Sequence, residues 1–358
     1  IARAERLLST LPADQKPAYE ALLQQSMRDR DEIQTELYDI YKTLEELEKL
    51  GELNAKITVE NTIADVMAGY FDLVAQKQQL KATQTALEVC LVRRKNAQSR
   101  YTIGKGSKLE LLAAKVDLNA DTTQLLRQED LFQAAKVRLN QLMAREANTS
   151  FSVSDSIVID QTLMFESLRN KAETQNFELQ TAVINEKLAE LNLKRVKGER
   201  YPYITLTSGY NFARNTSPPT SFSLRSNSHG FNYGVTASIN IFNGFTQARN
   251  ERNAKIEIEN AGLSTLKTKE AINAQLITSY QTYQTNLRLV GLEATNLEVA
   301  RENLEITLEK YRLGSIVPLE LREAQRNFID ATARYANSQY EAKLAEIALK
   351  EITGSISL

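Results

Sequence analysis

The sequence predicts a mainly α-helical fold of long antiparallel coiled coils, interrupted by one β-hairpin. Three observations lead to this prediction. The 358 residues include only 13 Gly and 6 Pro, a composition that favours long helices. Small and apolar residues recur at heptad spacing over long stretches, which is typical of coiled coils. One segment alternates with period two, as strands do.

Composition also excludes several classes of function. The 44 basic side chains are balanced by 45 acidic ones, so no nucleic-acid surface is indicated. Cys90 is the only cysteine, which leaves no internal disulfide and no cysteine-based metal site. The only histidine, His229, is predicted to be a solvated loop residue. Because no phosphate-binding loop, zinc spacing or nucleophile elbow occurs, we predict no catalytic residues, no enzyme activity, no cofactor and no metal.

The chain contains an internal duplication. Residues 100–104 read RYTIG and residues 310–314 read KYRLG, and Leu-Glu-Leu follows each of them at the same distance. Gly104 and Gly314 lie 210 positions apart, and this register holds without gaps as far as Leu139 and Leu349. A solenoid would show a period of about 20–50 residues. An offset this long indicates a duplicated half-molecule.

Heptads surround both copies of the Tyr-x-x-Gly motif. Gly104 and Gly314 suit left-handed helix ends, and Pro318 suits the start of a helix. The second copy places these residues on one face: Leu321, Ala324, Phe328, Ala331, Tyr335, Ser338, Ala342, Ala345, Leu349 and Ile352. The helix before Gly314 is predicted to begin near Thr246, a length on the order of 100 Å. Such a helix belongs to a fibre, a coiled-coil spacer or the wall of a tube.

Residues 204–212 and 231–241 alternate apolar with polar side chains. Each segment has the length of ~10 residues with which a tilted strand crosses a bilayer. Aromatic residues gather at both ends of the hairpin, and residues 213–230 are predicted to form an exposed loop. The period predicts that Leu206, Val235 and Ile239 face lipid. An ordinary antiparallel hairpin with its apolar face on a core is the alternative.

The order of these elements resembles the TolC family of outer membrane efflux proteins. The local motifs that carry the resemblance are Asn176-Phe177-Glu178-Leu179, Tyr201-Pro202 and Ile241-Phe242-Asn243-Gly244. It covers roughly residues 55–354. The resemblance implies a homotrimer whose helices form an α-barrel and whose hairpins contribute to a β-barrel in the lipid of the outer membrane of a Gram-negative bacterium.

The resemblance also implies partners and site residues. The tip turns, with Tyr101, Gly104, Tyr311 and Gly314, would dock a periplasmic adaptor protein. The pore aperture would hold Glu110, Glu320 and Glu323. An inner-membrane transporter would drive export through the passive duct, in an efflux pump or a type I secretion system. Two alternatives remain open: the glutamates as first-turn residues that favour the helix dipole, and the tyrosines as coiled-coil core.

The predicted organisation has six parts. They are a divergent helical segment at 1–54, a first helical hairpin at 55–150, a linker at 151–165, a helix at 166–200, the membrane hairpin at 201–245 and a second helical hairpin at 246–358. The duplication calls for a first membrane hairpin that would fall before residue 1. A segment absent from the chain as given, a join between non-contiguous segments and a divergent N-terminus all stay open. A soluble coiled-coil scaffold or adaptor is the alternative function.

Overall fold

A computed structural model describes residues 16–154, 156–216 and 225–356. Within these ranges the chain forms six helices and two strands. They are α1 (Lys16–Thr102), α2 (Lys108–Leu142), α3 (Phe165–Gln175), α4 (Phe177–Gly198), β1 (Tyr203–Thr216), β2 (Arg225–Ser238), α5 (Thr246–Arg312) and α6 (Pro318–Ile352). None of the helices in the described part contains an apolar stretch long enough to cross a membrane. The mainly helical fold with one hairpin is confirmed.

The chain divides into two compact units. The first combines residues up to Glu52 with Thr181–Leu266 and contains the hairpin β1–β2. The second combines Leu53–Gln180 with Lys267–Leu358 and contains α2, α3, α6 and both tip turns. The predicted segment 1–54 is helical from Lys16 onward, and residues 1–15 lie outside the described residues.

The core of the second unit follows the predicted heptads. Every predicted position on α6 is buried except Tyr335, which is partly buried. On α2 the predicted face buries Leu111, Ala114 and Leu139. Arg301 is an exception, because it is exposed although it lies at heptad spacing between Leu297 and Leu304 of α5. A long arginine can keep its charged head in water while its stem lies along an apolar surface.

Four helix ends in the second unit share one geometry. Gly104, Ala144, Gly314 and Gly354 all have positive φ, at 73°, 53°, 76° and 58°. In each case the next residue donates a backbone hydrogen bond to the carbonyl five positions back, as Lys105 does to Arg100 at 2.8 Å. This is the Schellman motif, which satisfies the last carbonyls of a helix. The left-handed conformation predicted for Gly104 and Gly314 is confirmed.

The predicted helix at 166–200 is wrong in one respect, because it is broken at Asn176. This residue adopts an extended conformation between α3 and α4. Its side chain accepts a hydrogen bond from the Leu179 amide at 2.8 Å and donates one to the Ile352 carbonyl at 2.9 Å. Asn176 thus caps α4 and ties it to the end of α6, as asparagine at an N-cap commonly does.

The hairpin bounds also differ from the prediction. The ladder continues through Ala213↔Ser228 to Thr216↔Arg225, so much of the predicted loop 213–230 is strand. Once two strands are in register, backbone pairing can extend through residues of low β-propensity. His229 therefore lies in β2 opposite Phe212. At the other end β2 stops at Ser238, which leaves Ile239 outside the strand. Pro218-Pro219 lies outside the described residues.

Candidate functional site

Two helical tips face solvent in the second unit. The first tip joins α1 to α2, and Ser107 caps α2 by accepting a hydrogen bond from the Glu110 amide at 3.1 Å. The second tip joins α5 to α6, where Pro318 begins the helix. Each tip thus combines a glycine of positive φ at the end of one helix with a residue that starts the next helix, Ser107 or Pro318. This combination fixes a tight turn between antiparallel helices.

Both tips expose apolar side chains that the sequence reasoning missed. The exposed residues form two pairs at the 210-residue offset, Ile103 with Leu313 and Leu109 with Leu319. They lie off the heptad face, so the coiled coil does not cover them. Because these apolar residues recur at the same offset in both repeats, the sequence itself contains a signal that identifies them. Exposed apolar residues clustered at a turn are typical of a binding surface.

The structure separates the two tip tyrosines. Tyr101 is 42% exposed, whereas Tyr311 is 3% exposed and packs in a cluster with Leu304 and Leu321. Burial raises the pKa of the Tyr311 phenol, and the negative charge of Glu110 raises it further. Tyr311 is therefore a core residue, one of the two alternatives that the sequence left open.

The predicted aperture glutamates have different surroundings. Glu110 pairs with Arg100 at 3.4 Å, between Oε1 and Nη1. Glu320 and Glu323 are exposed in the first turns of α6, and within the described residues neither forms an ion pair. Glu110 thus has a local structural role, whereas the other two carboxylates remain available for solutes or partners.

A buried polar network joins three helices above the tips. Asp121 on α2 accepts hydrogen bonds from Arg322 Nη1 at 2.7 Å, from Gln325 Nε2 at 2.7 Å and from the Cys90 thiol at 2.9 Å. Arg322 and Gln325 belong to α6, and Cys90 belongs to α1. The network therefore links the helical hairpin of the first repeat to the last helix of the second. Asp121 lies at heptad spacing between Leu118 and Leu125, but the sequence does not reveal its partners.

Cys90 is fully buried. Burial, followed by the hydrogen bond to Asp121, raises the pKa of its thiol to about 11. The thiol is therefore protonated at neutral pH and a poor nucleophile, since the thiolate is the reactive form. In the described part of the chain no group of three or more His, Cys, Asp or Glu side chains could hold a metal ion.

The hairpin has two chemically different faces. Leu206 pairs directly with Val235, so both side chains lie on one face. This face, which we call the apolar face, presents the exposed residues Ile204, Leu206, Tyr210, Phe212, Phe231, Tyr233 and Val235. The opposite face carries Tyr203 at its end, followed by Thr205, Thr207, Gly209, Asn211, Asn232, Gly234, Thr236 and Ser238. The shared face of Leu206 and Val235 agrees with the prediction, whereas Ile239 lies beyond the end of the ladder.

Comparison with known proteins identifies the family. Residues 168–355, more than half of the chain, match the model of the family described as outer membrane efflux protein. The chain belongs to this family. The outer membrane protein TolC of Vibrio cholerae is 20% identical over 353 residues, which cover 96% of this chain and 80% of that protein.

Solved structures share the fold of this outer membrane efflux protein. The CmeC outer membrane channel of Campylobacter jejuni superimposes with a TM-score of 0.71 at 15% identity, over 89% of this chain and 68% of that one. The outer membrane protein VceC of Vibrio cholerae gives 0.67 at 16% identity, over 85% and 72%. Family membership confirms the predicted efflux function and outer-membrane location. It does not favour the soluble scaffold, and these relatives are named as channels or outer membrane proteins rather than as enzymes.

Proposed function

We propose that this efflux protein assembles as a homotrimer into a passive duct, which conducts substrates delivered by an inner-membrane transporter and a periplasmic adaptor. The hairpin is the observation that carries the proposal. Its apolar face is exposed in the single chain, and its other face is polar or small from Thr205 onward, with the aromatic ring of Tyr203 at its end. A lone hairpin is marginally stable in water. Joined to hairpins of other copies, it would turn the apolar face to lipid and the polar face to a lumen.

The tips are the proposed docking surface for the adaptor. Exposed Ile103, Leu109, Leu313 and Leu319 surround Gly104 and Gly314, and Tyr101 adds a partly exposed aromatic ring. Tyr311 would not contact the adaptor itself; its buried ring would support the second tip by packing against Leu304 and Leu321. The tight glycine turns would set the spacing of these side chains, so that docking depends on the backbone of the turn as well as on the apolar contact.

Replacing Gly314 with valine should weaken adaptor binding while the trimer still forms. The position has φ +76° with open space around it, so the effect arises from backbone strain, about 1–3 kcal/mol, rather than from a clash. Co-purification with the adaptor measures binding. Gly51→Val is the control, because Gly51 also has open space and lies in helix α1 without positive φ. Unchanged co-purification of the Gly314 variant would remove the support for tip docking.

Glu320 and Glu323 are the proposed aperture residues. Three copies of each exposed carboxylate near one axis would form an acidic ring, and such rings favour cations in cation-selective pores. Glu110 would contribute less, because its charge is already paired with Arg100. The sequence predicted three aperture glutamates. In this proposal only Glu320 and Glu323 contribute unpaired charge, because Glu110 is paired with Arg100.

The Glu320→Gln, Glu323→Gln double variant should lose cation preference and block by multivalent cations in planar bilayers. Trimer stability should change little, because Glu320 as a first-turn carboxylate contributes only about 0.3–1 kcal/mol, and Glu323 is exposed in the next turn. Glu298→Gln with Glu302→Gln is the matched control, since both residues are exposed on α5 away from the tips. An unchanged ion preference in the tip variant would reduce Glu320 to a first-turn carboxylate and Glu323 to an exposed residue of the second turn.

A further inference from the structure

The end of the hairpin that lies away from helices α4 and α5 is basic. Residues 201–248 contain two arginines and one histidine, Arg214, Arg225 and His229, but no aspartate, glutamate or lysine. All three basic residues belong to the half of the ladder that is nearer the loop. The charge of these arginines is therefore not balanced by any carboxylate of the hairpin itself.

The strand register places Arg214 and His229 on the apolar face. His229 pairs directly with Phe212, and Arg214 pairs directly with Asn227. Directly paired residues lie on the same side of a ladder, and every second residue of a strand lies on that side. These residues therefore continue the row that contains Leu206. The side chains of Arg214, Asn227 and His229 are exposed.

The two ends of the hairpin differ in how their arginines are satisfied. At the helix end, Arg200 Nη2 donates to Glu251 Oε2 at 2.9 Å. At the loop end, Arg214 and His229 form no ion pair with any described residue. An anionic partner for these two side chains would have to come from another molecule.

The height of these groups along the hairpin corresponds to lipid headgroups. With the Leu206–Val235 rung at the bilayer midplane, Arg214 lies eight positions beyond Leu206. This is about 27 Å along a strand and about 20 Å in height at a tilt of about 40°. His229 lies six positions from Val235, and the same conversion gives a height of about 16 Å. Half of the apolar band is only about 12 Å, so both groups lie beyond the acyl chains.

We propose that Arg214 and His229, together with Asn227, bind the phosphate groups of lipids in the outer leaflet of the outer membrane. This proposal rests on the lipid-facing orientation given under the proposed function, in which the helices extend toward the periplasmic adaptor and the loop end lies at the outer surface. Phe212 and Phe231 lie on the same face just before the basic residues, and aromatic side chains commonly occupy the membrane interface.

The chemistry of the three side chains suits a phosphate. A guanidinium binds a phosphate through two parallel N–H bonds. An imidazole supplies an N–H donor in its neutral as well as its charged form, and an amide supplies two more. Arg214 and His229 are diagonal neighbours across the ladder, with Cβ atoms about 7 Å apart. Both can therefore reach the phosphates of one headgroup.

Lipid binding to the full chain, extracted from outer membranes in detergent, tests the proposal. The probes are phosphorylated lipid A and dephosphorylated lipid A with the same acyl chains, and bound lipid is counted by native mass spectrometry. The wild type should prefer the phosphorylated lipid by about tenfold or more, as expected for hydrogen bonds to a charged group. Arg214→Gln with His229→Gln should lose this preference. Equal binding of both lipids by the wild type would overturn the proposal.

A relocated charge provides the matched control. Arg214→Ala with Ala213→Arg keeps the composition and the net charge, but it moves the guanidinium to the opposite face, where Ala213 pairs with Ser228. This variant should bind phosphorylated lipid A as weakly as Arg214→Ala alone. Binding at wild-type strength would mean that any nearby positive charge suffices, and it would overturn the assignment to this face.

Two further results separate this proposal from its alternatives. Excess inorganic phosphate should not displace the lipid, and displacement would overturn the commitment to a lipid headgroup. Lysine at Val235 and at Thr236 tests the orientation of the hairpin independently. Equal assembly of these two variants would overturn both the orientation and this proposal. Impaired assembly of Val235→Lys alone, with unchanged lipid binding by Arg214→Gln, His229→Gln, would overturn only the lipid site.

Discussion

Replacing Asp121 with alanine is expected to lower the free energy of unfolding by about 3 kcal/mol, toward the low end of the range for breaking a buried ion pair. The substitution removes the acceptor for Arg322, Gln325 and Cys90 at once. Arg322 then keeps a largely buried charge without a partner. Its side chain is 23% exposed, and this partial access to water is the reason for choosing the low end.

Denaturant unfolding followed by helical circular dichroism measures this effect. Asp330→Ala is the control, because Asp330 is an exposed carboxylate on α6 and such surface changes usually stay within about 0.5 kcal/mol. Asp121→Asn should fall between wild type and alanine, since the amide retains one acceptor oxygen. If Asp121→Ala resembles Asp330→Ala, the network contributes nothing to the association of the two repeats.

Lysine at Val235 is expected to cost about 2–4 kcal/mol if the site lies near the bilayer midplane. Val235 belongs to the apolar face and is paired with Leu206, so the charge would have to enter lipid. Lysine at the neighbouring Thr236 should be tolerated, because Thr236 lies on the opposite face with Thr205. The amount of assembled trimer in membranes is the measurement. Equal amounts for the two variants would contradict this orientation of the hairpin.

Sequence reasoning recovered the features that depend on local periodicity. The heptad of α6 identified its buried face from Leu321 to Ile352, and Gly104 and Gly314 marked the left-handed turns. These signals are local because a coiled-coil face repeats every few residues and a positive φ favours glycine. The helices could therefore be predicted without knowledge of their neighbours.

The features that the sequence did not predict depend on partners distant in the chain. The partners of Asp121 lie 31 to 204 positions away, and no local pattern pairs them. Asn176 breaks a helix because its side chain reaches Ile352. The hairpin extends into polar residues because each strand supports the other. Tyr101 and Tyr311 are equivalent in sequence but differ in burial, since only Tyr311 packs into an apolar cluster with Leu304 and Leu321.

The helix ends at Ala144 and Gly354, which are equivalent in the two repeats, limit how far the two halves of the chain can be exchanged. Ala144 holds φ 53° with a side chain present, and glycine would fit there without strain. Gly354 occupies the equivalent position, but a Cβ added to it would lie 2.6 Å from the Gln175 carbonyl oxygen. Exchange at this position is therefore one-directional. Grafting the helix end that holds Gly354 onto α2 would keep that end intact, whereas grafting the end that holds Ala144 onto α6 would force a methyl group against the Gln175 carbonyl at the end of α3.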